Sequence, residues 1–177
     1  MTTHETIYLG MGCFWGVEKK YWQLTGVVET SVGYQGVTTA HPTYQQVCTG
    51  MTGHAEMVKV VYDSSVVSTR EILRVFWENH DPTQGNRQGN DIGSQYRSVI
   101  YWTTPAQESE SLLTKDLFEA ELAKHNLGPI TTDIEPAAGH EYFLAEEYHQ
   151  KYLQKNPAGY DCHSTTGYKL PAEMTTE

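Results

Sequence analysis

Cys13, in the run Gly12-Cys13-Phe14-Trp15-Gly16, is the residue whose setting most suggests chemistry. Before it, Thr6-Ile7-Tyr8-Leu9 reads as a strand and Gly10 and Gly12 as a turn. After it, Phe14, Val17, Tyr21 and Leu24 fall at helical spacing. That places Cys13 at a helix N-terminus, where free amides and the helix dipole favour a thiolate and lower a thiol pKa from its usual ~8.5. Phe14 and Trp15 add an apolar wall beside the nucleophile. A buried cysteine packed into a strand–helix turn accounts for the same residues. A dinucleotide loop does not, because Gly10, Gly12 and Gly16 miss the G-x-G-x-x-G spacing by one and two aromatic rings stand where phosphate needs bare backbone.

Other side chains offer competing chemistry. His54-Ala55-Glu56 matches half of a zinc deaminase signature, but the P-C-x-x-C half is absent. The eight histidines show no H-E-x-x-H spacing, so neither a metal nor another cofactor is expected. Cys13 paired with His54, His80, His140 or His149 would make a cysteine hydrolase. No local signature supports that pairing, and a hydrolase has no use for a second cysteine, Cys162, in the C-terminal tail. A non-catalytic interaction domain is a further reading, since the chain has 12 tyrosines and 4 tryptophans. They fall beside glycines, Cys13 and polar loops, which suits a lined pocket better. Cys13, Cys48 and Cys162 are odd in number and form no C-x-x-C pair, so a disulfide scaffold and a zinc knuckle are both excluded.

These residues need elements to hold them. Val27 to Gly33 reads as a strand, Tyr34 to Gln46 as a polar loop, and Glu56 to Tyr62 as a second strand closed by Asp63-Ser64-Ser65. Ser68-Thr69-Arg70-Glu71 is a capping-box pattern before Ile72, Leu73, Val75 and Phe76. Asp81 to Gln95 is a long polar stretch between ordered elements and reads as a binding loop. Tyr96 to Trp102 is a strand. Thr104-Pro105 starts a helix whose apolar positions include Leu112, Leu113, Leu117 and Leu122. Thr131 to Pro136 is a last strand and His140 to Asn156 a last helix, with Phe143, Tyr148, Tyr152 and Leu153 packing inward. The order β-α-β-β-α-β, extended by α-β-α and coil, predicts an α+β fold: a ferredoxin-like split β-α-β core with a mixed sheet and added helices. The expected organisation is one domain over 1–177, with 157–177 a mobile, loop-like tail carrying Cys162.

Composition bounds the partners. The chain has 177 residues and a net charge of −10, which argues against nucleic acid and anionic membrane surfaces. It has no 18-residue apolar run, and its start lacks the pattern of a signal peptide. A cytoplasmic, monomeric protein is expected.

The motifs taken together resemble the A-type peptide methionine sulfoxide reductases. Beside Gly12–Gly16, the resemblance rests on Gly33-Tyr34-Gln35-Gly36, Pro42-Thr43-Tyr44, Val47-Cys48-Thr49-Gly50 and Thr52-Gly53-His54-Ala55-Glu56. It continues through His80-Asp81-Pro82-Thr83, the run Arg87 to Ser98, and Ala145 to Leu153. Val37 departs from it, standing where the family usually has a second glycine. The resemblance implies that Cys13 attacks a sulfoxide sulfur and that Glu56, protonated, donates to the sulfoxide oxygen. Tyr44 and Tyr96 would bond the same oxygen, with Asp91 in their polar network. Phe14 and Trp15 would hold the S-methyl group. Cys13 would become a sulfenic acid, resolved by Cys162 as a disulfide that thioredoxin reduces, and the S epimer would be the substrate. Substrates would be oxidised proteins and small methyl sulfoxides. Cys48 is expected to have no role.

Overall fold

A computed structural model describes residues 3–36, 41–50, 52–89, 91–161 and 165–171. Its centre is a mixed six-stranded sheet of order β7-β6-β1-β3-β2-β8. The strands are β1 (His4–Met11), β2 (Val27–Gln35), β3 (Ala55–Asp63), β6 (Ser98–Trp102), β7 (Asp133–Pro136) and β8 (Tyr142–Leu144). The short strands β4 (Arg87–Gln88) and β5 (Asp91–Ile92) form a separate hairpin. The helices are α1 (Phe14–Trp22), α2 (Tyr44–Cys48), α3 (Thr69–Glu78), α4 (Pro105–Ala123) and α5 (Tyr152–Lys155).

The four central strands carry the expected topology. β3 runs antiparallel between β1 and β2, and β6 lies antiparallel on the other side of β1. β1, α1 and β2 are therefore a βαβ unit split by β3. β7 joins β6 in parallel, which makes the sheet mixed, and β8 closes the opposite edge on β2. Strand alternation divides the residues between two faces. Ile7, Leu9, Met11, Val58, Val60, Tyr62 and Ile100 point into the main core with Phe14, Val17, Ile72, Phe76, Trp77 and Phe118 from the helices. Ala55, Met57, Val99 and Tyr101 form a smaller cluster on the other face. Glu56 shares the parity of Val58 and Val60, and so projects toward α1.

Four expectations change. The expected helix over 140–156 is instead β8, a 3-10 turn at Glu147–His149 and the single turn of α5. Of its expected packing residues, Leu153 is buried but Tyr148 is exposed. Tyr142, Phe143 and Leu144 instead satisfy their backbone on Gln35, Tyr34 and Gly33 of β2, and Lys151 adopts a left-handed φ of 52° that no α-helix passes through. The polar loop after β2 contains α2, nucleated by a reciprocal capping box between Thr43 and Gln46, which contributes about 1 kcal/mol. The 81–95 stretch holds the β4–β5 hairpin, and Tyr96 sits in a 3-10 turn ahead of β6 rather than in the strand. In α4 the inward face is Gln107, Ser111, Thr114, Phe118 and Leu122, while Leu112 and Leu113 are exposed. The reason lies opposite: Trp77 fills the space and donates its Nε1 hydrogen to Thr114 Oγ1 at 2.8 Å.

Past α5 the chain returns to the body of the fold. Tyr168 stacks on His125 at 3.8 Å, and Leu170 is buried with its N–H on Glu78. Val37 and Cys162 lie outside the described residues.

Candidate active site

The turn from β1 into α1 aims Cys13. Gly10 is still in β1, paired with Val99, so the turn is tighter than the glycines suggested. Gly12 has φ +94°, and a Cβ there would sit 2.7 Å from the Gln88 side chain. Gln88 is itself fixed, accepting from the Asp81 N–H at 2.9 Å and donating to the Asp81 carbonyl. Only glycine lets β1 and the hairpin approach this closely with that backbone. Cys13 follows as the N-cap of α1, partly exposed, with no capping bond from its side chain.

Glu56 stands behind it. The carboxyl is 2% exposed and accepts the Phe14 N–H at 3.1 Å. Burial pushes its pKa up to about 8, the Phe14 hydrogen bond opposes this, and the charge of Asp91 adds to it. Glu56 is therefore mostly protonated at neutral pH, and a protonated carboxyl is a donor.

The Cys13 thiol is raised, against the expectation of a lowered pKa. Burial is the largest cause and the charge of Glu56 the next; the Trp15 and Gly16 amides pull the other way. Magnitudes explain the outcome. A helix end contributes typically ~0.3–1 kcal/mol, under one pKa unit, whereas burial can shift a group by ~3–5 units. The helix N-terminus is present but is outweighed.

Two phenols complete the polar side. Tyr44 opens α2 and Tyr96 ends the 3-10 turn. Burial, followed by the charge of Glu56, raises both above the usual phenol range, so each remains a donor. The charge of Asp91 acts on Cys13, Glu56 and Tyr96, which puts it in the same cluster. Asp91 also accepts from the Tyr160 hydroxyl at 3.0 Å. Cys48 lies closer than expected: its thiol is hydrogen-bonded to Tyr44 and feels the charge of Glu56.

The apolar side is built on Phe14 and Trp15. Phe14 is buried against Tyr34, with ring centroids 5.8 Å apart. Trp15 stacks on Tyr152 at 3.8 Å and donates its Nε1 hydrogen to His149 Nδ1 at 3.0 Å. Glu146 accepts from the Tyr34 hydroxyl at 2.7 Å and from the Tyr44 N–H at 2.9 Å. Sequence reasoning assigned no part to Glu146, placed His149 only among the candidate hydrolase bases, and placed Tyr152 only among the packing residues. Their signal was present in the motif Ala145 to Leu153, but reading it as a helix hid what it holds.

Two of the four candidate hydrolase bases are engaged elsewhere. Both ring nitrogens of His80 are bonded, to the Phe76 carbonyl and Ser98 Oγ, and His149 Nδ1 serves Trp15. His140 stacks on Tyr101, whose side chain belongs to the opposite face of the sheet. The leading charges acting on Cys13 are the carboxylates of Glu56 and Asp91. Among the described residues no group of three or more His, Cys, Asp or Glu could hold a metal ion.

A profile described as peptide methionine sulfoxide reductase matches residues 5–176. The chain belongs to the peptide methionine sulfoxide reductase family. It is 54% identical over 167 residues to peptide methionine sulfoxide reductase MsrA of Rhodospirillum centenum, covering 94% of this chain and 75% of that one. It is similar to the solved methionine sulfoxide reductase A of Corynebacterium diphtheriae, with a TM-score of 0.87, 47% identity, and coverage of 97% of this chain and 85% of that one. Mxr1 of Saccharomyces cerevisiae in reduced form gives a TM-score of 0.81 at 34% identity, covering 96% and 93%. Mxr1 in complex with Trx2 shares the fold, with a TM-score of 0.54, 24% identity, and coverage of 81% and 91%. The chain is thus a peptide-methionine (S)-S-oxide reductase, and the hydrolase reading is set aside. Among the described residues, no helix is long and apolar enough to cross a membrane.

Proposed function

We propose that this reductase works through Cys13, Glu56, Tyr44, Tyr96 and Asp91, with Phe14 and Trp15 holding the substrate methyl group and Cys162 resolving the product. The observation that carries this is the Glu56 carboxyl, buried on β3 against the start of α1 and accepting the Phe14 N–H, where burial raises its pKa to about 8. A sulfoxide oxygen leaves poorly unless it is protonated. Glu56 gives it a proton while Cys13 Sγ bonds to the sulfoxide sulfur, and Tyr44 and Tyr96 donate to the same oxygen. The thiol proton of Cys13 replaces the one Glu56 gave, so the carboxyl ends as it began. The substrate S–O bond and the new Sγ–sulfur bond then break as the protonated oxygen bonds to Cys13 Sγ, leaving Cys13 as a sulfenic acid and methionine as the sulfide. The Cys162 thiol then condenses with the sulfenic acid, releasing water and forming a disulfide.

The sulfoxide sulfur is a stereocentre. Oxygen held by the carboxyl and phenols, methyl held by the two rings, and the rest of the substrate directed outward leave room for one hand only, consistent with S-epimer reduction. Thioredoxin is the proposed reductant of the disulfide; Mxr1, a relative, has been solved in complex with Trx2. Small methyl sulfoxides are proposed substrates beside oxidised proteins, since the pocket grips only the S-methyl and S–O groups. A monomer in a reducing compartment, such as the cytoplasm, fits this recycling.

The test is direct. Excess methionine sulfoxide is added to fully reduced protein without other reductant, and sulfide, thiols and mass are measured. Formation of sulfide with loss of thiols supports the reading, and a protein that forms no sulfide refutes it.

A further inference from the structure

The segment from Ala145 to Leu153 follows the edge strand β8. Gln150 is bonded to both the N–H and the carbonyl of Val32, and Lys151 is tied by its N–H and Nζ to the buried Glu18. These bonds strap the segment across β2 and α1. At its middle His149 is 1% exposed and meets the site's rings, with Phe14 at 5.2 Å, Tyr44 at 4.6 Å and Tyr148 at 4.1 Å.

We propose that His149 is a positioning residue for Trp15: its Nδ1 fixes the rotation of the indole ring and so the shape of the methyl-binding wall. The inference rests on the reading that Trp15 holds the sulfoxide methyl. The bond from Trp15 Nε1 requires a lone pair on His149 Nδ1, so the imidazole is neutral with its proton on Nε2. Nε2 makes no hydrogen bond; Glu146 Oε1 is 3.9 Å away. Burial lowers the His149 pKa, which keeps the ring in this form. The torsion that turns an indole about its Cβ–Cγ bond has broad minima, so packing alone leaves its rotation loosely set. Tyr152, stacked 3.8 Å away and 12° from parallel, fixes the tilt of the indole plane. A stack tolerates small turns and slides, and the directional bond to His149 is the second constraint that holds the ring at one setting of that torsion.

The experiment follows single turnover, recording the sulfoxide concentration for half-maximal rate and the maximum rate. His149→Phe keeps a ring for Phe14 and Tyr44 but removes the acceptor. His149→Asn returns an acceptor near the place of Nδ1. For His149→Phe the half-saturating concentration should rise about five- to tenfold, with the maximum rate within about twofold of wild type. His149→Asn should recover most of the loss. In a Trp15→Phe background His149→Phe should add nothing further. Trp15 emission, taken as the difference between each protein and its Trp15→Phe partner, should shift in His149→Phe and return in His149→Asn, and this reading is independent of activity. An unchanged half-saturating concentration, an equal rise in the Trp15→Phe background, or emission indifferent to His149 overturns the proposal. A wild-type protein that consumes no sulfoxide overturns the activity instead, and the emission difference then decides whether His149 holds Trp15.

Discussion

Cys13 and Glu56 share one small volume at the start of α1, and each is easier to keep neutral than charged. The raised thiol means little thiolate stands waiting, which limits reaction with passing oxidants. Cys13→Ser should abolish sulfide formation while leaving the melting temperature close to wild type, because a hydroxyl is a far weaker nucleophile; sulfide release by that variant would show that another group attacks. Glu56→Gln keeps shape and a donor but has no proton to transfer. Its reductive step should slow by about 10²–10⁴-fold, the usual contribution of a general acid. Because the proton on Glu56 is lost near pH 8, the wild-type rate should fall as pH rises through about 8, and the variant should lack that limb. The same shift acts on stability. Unfolding returns the carboxyl to its ordinary value of 4.5, so between there and about 8 the folded protein binds more protons than the unfolded chain. The contribution of Glu56 is full below the lower value and is lost as pH rises through the upper one. The melting temperature of Glu56→Gln minus that of wild type should therefore grow from pH 5 to pH 8; a difference that stays flat would mean that Glu56 is not held protonated in the fold.

The elements show where local pattern is enough and where it is not. β1, β2, β3, β6 and β7 were legible because alternation and flanking turn residues mark half-buried strands. α3 was legible because Ser68 accepts from the Glu71 N–H, as its capping pattern requires, and the following apolar face is continuous. Cys13, Phe14 and Trp15 could be placed for the same reason, at one turn between two clear elements. The stretch from 142 to 153 was not legible: its partners on β2 are Val32, Gly33, Tyr34 and Gln35, more than a hundred residues away, and local spacing cannot announce them. The raised Cys13 thiol was hidden likewise, since burial comes from the assembled site. Glu146 is where this long-range element takes hold. Burial acts to raise its pKa, but bonds from the Tyr44 N–H and the Tyr34 hydroxyl outweigh it, and the net shift is downward. Glu146→Leu leaves both donors unmatched and frees the start of α2, which carries Tyr44. We expect a loss of about 1–3 kcal/mol in stability by denaturant titration, together with a slower reductive step. Unchanged values for both would show that α2 holds Tyr44 unaided.

At the scale of the molecule, the sheet brings distant parts of the sequence to one rim: α1 after β1, α2 between β2 and β3, the β4–β5 hairpin before β6, and the chain beyond α5. The last of these matters for recycling. Tyr160 donates to Asp91 on the hairpin and Asp161 lies 3.8 Å from Lys19 on α1, so the chain just before Cys162 passes the site. A thiol tethered there has a high effective concentration against a sulfenic acid on Cys13. Wild-type protein given excess sulfoxide and no reductant should release one equivalent of sulfide and lose two thiols, at Cys13 and Cys162. Cys162→Ser should release the same first equivalent, stop as a sulfenic acid detectable by mass, and be regenerated poorly by thioredoxin. Tyr160→Phe removes the bond to Asp91, so it should leave the first equivalent untouched and slow disulfide formation severalfold. Cys48→Ser keeps a hydroxyl for Tyr44 and should match wild type in every phase. Peptide mapping that joined Cys13 to Cys48 in the oxidised wild type would remove Cys162 from the resolving role, and the contact between Tyr160 and Asp91 would then concern substrate access rather than recycling.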